Sequence, residues 1–107
     1  MKIQMQNLMK QVLKIRDDGQ KEYAHDEGNV FANFERVANT LNIPREKVLL
    51  TYMLKHIDGI VAYVEGHKSQ REPVDGRIID AIVYLCLLYG MTKEDPNTVT
   101  YWESDST

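Results

Sequence analysis

Residues 77 to 91 read RIIDAIVYLCLLYGM, the most apolar stretch of the chain, and a carboxylate, Asp80, stands inside it. A stretch this apolar has to be largely covered, yet covering an unpaired charge is very costly. At helical spacing Asp80 shares a side with Arg77 and Tyr84, with Leu87 and Leu88 further along. Two arrangements satisfy the carboxylate. In one, Arg77 and Asp80 form a solvated pair on the outer edge of a helix. In the other, Asp80 turns toward a neighbouring helix, against His56 or Lys55, and makes a polar site inside a bundle. Both stay open at this level.

The remaining segments repeat the helical period. Met5, Leu8, Met9, Val12 and Leu13 recur three and four apart, with Lys10, Lys14 and Arg16 off the stripe. Val30, Phe31, Phe34, Val37, Ala38 and Leu41 make a second apolar face, for which Asn29 is a plausible N-cap. Pro44 suits the start of a third helix, which places Leu49, Met53, Ile57, Ile60 and Val64 on one stripe. Gly59 interrupts it and implies a kink or a close backbone contact. Asp75 reads as the N-cap of the fourth helix and Gly90 as the residue just past its end. The expected fold is therefore all-α: a four-helix bundle-like single domain, residues 1–90, with helices at about 3–24, 30–42, 45–65 and 76–89. A short extended C-terminal tail, residues 91–107, follows, with Trp102 as an anchor.

Composition narrows the function classes. A net charge of −3 provides no basic field for nucleic acid, so no direct nucleic-acid binding is expected. One cysteine makes no internal disulfide, and Cys86 between Leu85 and Leu87 reads as a buried, inert thiol. The N-terminus MKIQMQNLMKQ has no long apolar run, so neither a secretory signal nor a membrane span is expected, and a cytoplasmic setting follows. A helical chain of this size often completes its burial by pairing with copies of itself, so a homo-oligomer is expected.

Among the other polar residues, His56 belongs to the stripe of Tyr52, Met53 and Ile60, where a hydrogen-bonded core histidine competes with a ligand. Lys55 and Asp58 are three apart and read either as a surface pair or as a cation for phosphate and a carboxylate for metal. The triplet His25 to Glu27 consists of adjacent residues that point apart, a poor metal cluster, and Glu22 with Asp26 is a weak carboxylate pair.

Taken together, KEYAHDEGNVFANFERVANTL, LLTYMLKHIDGI and IIDAIVYLCLL resemble the small, phage-rich family called nucleotide-modification-associated domain type one. The matching positions are Tyr23, Asn29, Phe31, Asn33, Phe34, Lys55, Asp80 and Tyr84, within residues 15–90. The resemblance implies a phage protein that handles nucleotides or modified bases. More remotely, the helical pattern is similar to the all-α MazG-like NTP pyrophosphohydrolases, which hold Mg²⁺ with a Glu-x-x-Glu helix and a Glu-x-x-Asp helix. This chain has no Glu-x-x-Glu, and Arg77 stands three residues before Asp80.

The expected function is thus a small nucleotide-binding protein with a polar site between helices. Lys55, His56, Asp80, Tyr84 and Glu35 are its candidate ligand-binding residues, and Asp80 is the candidate ligand for Mg²⁺. One alternative is a non-enzymatic protein that binds and blocks a host factor. The other is a Mg²⁺-dependent nucleotide pyrophosphohydrolase, which needs more converging carboxylates than Asp80 alone.

Overall fold

In a computed structural model, which describes residues 1–23, 28–68 and 71–98 (with side chains 1–15 in the first of these), the helical periods become four helices and no strand. They are α1 (Lys2–Tyr23), α2 (Ala32–Leu41), α3 (Arg45–Val64) and α4 (Val74–Glu94). No helix among the described residues is long and apolar enough to cross a membrane. The triplet at 25–27, the Glu22–Asp26 side chains and Trp102 lie outside what is described.

Local chemistry sets the joints. Asn42 takes the left-handed conformation, φ 56°, that Asn tolerates better than most residues, and its N–H donates to the Ala38 carbonyl to close α2. Pro44 then stands at the N-cap of α3, where its missing N–H costs nothing and its carbonyl accepts from Val48. Asn29 is not the N-cap of α2. Phe31 occupies that place, because the Asn29 side chain folds back one turn earlier, accepting from the Phe31 N–H and donating to Glu35. Asp75 is likewise not a cap. Pro73 starts α4, its carbonyl accepting from the Arg77 N–H, and Asp75 lies in the first turn, where a negative charge suits the helix dipole. Nor does Gly90 end the helix. α4 continues to Glu94, and Gly90 lies inside it, where the Phe31 ring packs so close that a Cβ would stand 3.0 Å from it.

Those joints fold α2 and α4 onto α3, and Phe31, Phe34, Ala38, Val48, Leu49 and Met91 close into the main core. Leu49 is 0% exposed and is its centre. α1 packs chiefly on α4. Val12 is buried and Leu8 partly so, but Met5, Met9 and Leu13 are exposed, Leu13 to 65%. The predicted stripe of α1 is therefore wider than the surface available to cover it. Val64 is exposed in the same way at the far end of α3. Cys86 is also exposed, not buried, because the inward face of α4 is taken by Ile79, Tyr84, Leu87, Leu88 and Met91.

Candidate functional site

The seam between α3 and α4 grades from apolar to polar. From the core outward, the Phe34 ring meets Tyr52 at 6.0 Å and Tyr84 edge-on at 6.4 Å between centroids. Tyr84 in turn lies 5.6 Å from the His56 ring. Asp80, one turn before Tyr84, faces α3, and its Oδ2 stands 3.6 Å from His56 Nδ1. Of the two arrangements open to Asp80, the structure has the one directed at the neighbouring helix. Its side chain is 34% exposed and that of His56 13%, so the contact is sheltered without being sealed.

This contact is incomplete. At 3.6 Å it is too long for a hydrogen bond, and His56 Nδ1 is buried with no hydrogen-bond partner. It becomes an ion pair only when the imidazole is protonated. Burial, and after it the negative charge of Asp80, raises the Tyr84 pKa above its ordinary value, so the phenol is held as a neutral donor.

Arg77 continues the seam by one turn. It crosses α3 at Gly59, where a built Cβ would come within 2.3 to 2.5 Å of Arg77 Cδ, Nε and Cζ. The glycine predicted to allow a close contact does so, although the contact is a guanidinium stem and not another backbone. Beyond it, Lys55, Asp58, Gly59, Arg71 and Arg77 line an open groove of about 730 Å³, together with Thr51, Leu54 and Ala62. Lys55 therefore belongs to the rim of the groove rather than beside Asp80, since it stands about 100° round the helix from His56.

Glu35 is not part of this site. It accepts from Arg45 at 2.9 Å and from Asn29 at 2.6 Å, at the other end of α3. Arg45 precedes His56 by eleven positions, a separation of about 16 Å along a helix. There Arg45 also meets Glu94 at 2.8 Å and Glu46 at 3.6 Å and lies over the Phe31 ring. Burial disfavours its charge, but the Glu94 hydrogen bond and the three carboxylates outweigh this and raise its pKa.

Of the five candidate residues, His56, Asp80 and Tyr84 lie together, Lys55 stands one face away from them, and Glu35 belongs to the Arg45 cluster. Tyr52 was placed on the His56 stripe but not among the candidate ligand-binding residues, and Arg71 and the position of Arg77 were missed. Among the described residues no three His, Cys, Asp or Glu side chains converge on a point that would hold a metal. Mg²⁺ in other sites is often held by one or two carboxylates plus ligand phosphates, and Asp80 fits a share of that kind but not a dedicated cage. Comparison of the chain with family models, with curated proteins and with solved structures finds no match.

Proposed function

We propose that the chain is a small nucleotide-binding protein that takes its ligand at the α3–α4 seam. The reading rests on one observation above others: His56 and Asp80 approach to 3.6 Å in a half-sheltered gap beside Tyr84, and the imidazole nitrogen is left without a hydrogen bond. Buried polar atoms are nearly always satisfied, and those that are not deserve a reason. A guest that donates to Asp80 and accepts from His56 supplies one. The edge of a nucleobase or a ribose hydroxyl pair has that donor and acceptor pattern, Tyr52 and Tyr84 offer ring surface, and Lys55 on the rim offers charge to phosphate. Asp80 would contribute one carboxylate to a Mg²⁺ ion carried by those phosphates.

Titration calorimetry with nucleoside triphosphates and cyclic dinucleotides, with and without Mg²⁺, tests this. Binding at micromolar to millimolar ligand that is clearly weakened in Asp80→Asn is the expected result. No heat at millimolar ligand, or equal binding by the variant, contradicts it.

A second reading is favoured by α1, where Met5, Met9 and Leu13, four residues apart, form an exposed apolar row. We infer that a second copy of the chain covers it. Within one chain α1 packs chiefly on α4, and that contact leaves the row uncovered. Light scattering that reports a dimer, reduced to a monomer by Leu13→Gln, is expected; a monomeric wild-type chain at 100 micromolar would contradict it.

A further inference from the structure

The groove beyond Gly59 poses a separate question, because its charge runs against that of the chain. Three cations, Lys55, Arg71 and Arg77, line it against one carboxylate, Asp58, in a protein of net charge −3. Neither Lys55 nor Arg71 makes a side-chain ion pair among the described residues. Arg77 is more unusual. Its side chain is only 14% exposed, yet Nη1 meets Glu72 at 3.5 Å and the Lys55 carbonyl at 3.5 Å, both at the outer limit of useful contact. Its Nε is buried with no partner. A sheltered guanidinium that leaves donors unmet has lost solvation without recovering it.

The notch at Gly59 is what holds the group there. With no Cβ in the way, the Arg77 stem lies directly on α3, and any larger residue would push it off. Lys55 stands between Gly59 and Asp58 around the helix, so the cations are contiguous and Asp58 falls on the far side of the lysine.

We infer that this groove is a phosphate-chain site, in which Arg77 presents its donor fork from the Gly59 notch while Lys55 and Arg71 close on a pyrophosphate-class anion from the rim. Guanidinium forks match phosphate oxygens two at a time, and lysine adds a mobile point charge. The inference goes beyond nucleoside recognition at His56 and Asp80, and stands whether or not that occurs.

The test uses the full chain and inorganic pyrophosphate with no divalent cation, read by calorimetry and by amide chemical shifts. Wild-type protein should bind, with shifts centred on 55–59 and 71–77. The double variant K55Q/R71Q, which alters only exposed side chains, should weaken binding by about tenfold or more, as loss of two charge-assisted contacts implies. Gly59→Ala, which displaces Arg77, should do the same while circular dichroism stays helical. Asp58→Asn should tighten binding. Absence of binding at 10 millimolar pyrophosphate, binding indifferent to K55Q/R71Q, or weaker binding by Asp58→Asn would each overturn the assignment. Adenosine without phosphate serves as the separate arm: shifts at His56 and Tyr84 with none from pyrophosphate would keep the seam reading and remove the groove.

Discussion

At the N-terminal end of α3, Arg45 meets Glu35 at 2.9 Å and Glu94 at 2.8 Å and covers the Phe31 ring. Three turns later His56 and Asp80 stop at 3.6 Å, and beside them Arg77 reaches its two acceptors only at 3.5 Å. Both clusters involve α3 and α4, the first also α2, and both mix cations with carboxylates. The first is closed by geometry and lies over the driest part of the core. The second keeps a buried imidazole nitrogen and a buried guanidinium nitrogen without partners. A folded chain tolerates such groups when something outside it completes them, and stability and ligand binding should therefore divide between the two ends.

The division can be broken first at the dry end. Leu49→Ala removes the most buried side chain and should cost about 2–5 kcal/mol, seen as a lower urea midpoint. Arg45→Ala leaves Glu35 and Glu94 facing each other without their shared cation. Because both carboxylates are partly solvated, the expected loss is smaller, about 1–2 kcal/mol, with nucleotide and pyrophosphate binding unchanged. If Arg45→Ala abolished binding, the two clusters would not be separate.

At the open end the same measurements should give the opposite pattern. Asp80→Asn keeps the side-chain shape and should shift stability by less than about 1 kcal/mol while weakening nucleotide binding. Gly59→Ala adds helix propensity of up to about 1 kcal/mol, offset by the displaced Arg77, so a midpoint close to wild type is expected. A large destabilisation by either variant would mark the seam as structural.

The smallest effect is a pH slope. Burial and then Asp80 raise the Tyr84 pKa, so the folded chain holds that proton more tightly than the unfolded one. The stabilisation is complete below about pH 10 and is lost as pH rises through the folded value. Tyr84→Phe should remove this part of the alkaline decline, measured as urea midpoints between pH 8 and 11; an identical decline in the variant would contradict it.

Much of this was legible in the sequence, for reasons that differ by residue. The four helices follow from periodic apolar spacing, and the Asp80–Tyr84 face follows from position three and four residues along a helix. The helix ends were less legible. Pro73 competes with Asp75 for the cap, and Gly90, which reads as a helix end, instead gives room inside α4 to a ring, Phe31, that arrives from outside the helix. The site suffered in the same way. Glu35 is claimed by Arg45, and Arg77 by the notch at Gly59, through contacts between residues ten and eighteen apart that no local pattern encodes. The exposure of Met9 and Leu13 was hidden because periodicity tells which residues share a face, not whether a neighbour exists to cover it.

The most direct test of the seam is nuclear magnetic resonance of the His56 ring during titration with a nucleoside triphosphate. If the ligand enters the seam, the His56 and Tyr84 ring signals move together and saturate, those of Phe31 beside Arg45 stay fixed, and Asp80→Asn weakens the response. Ring signals at His56 that stay still at millimolar nucleotide, or that move equally in the Asp80→Asn protein, would contradict it.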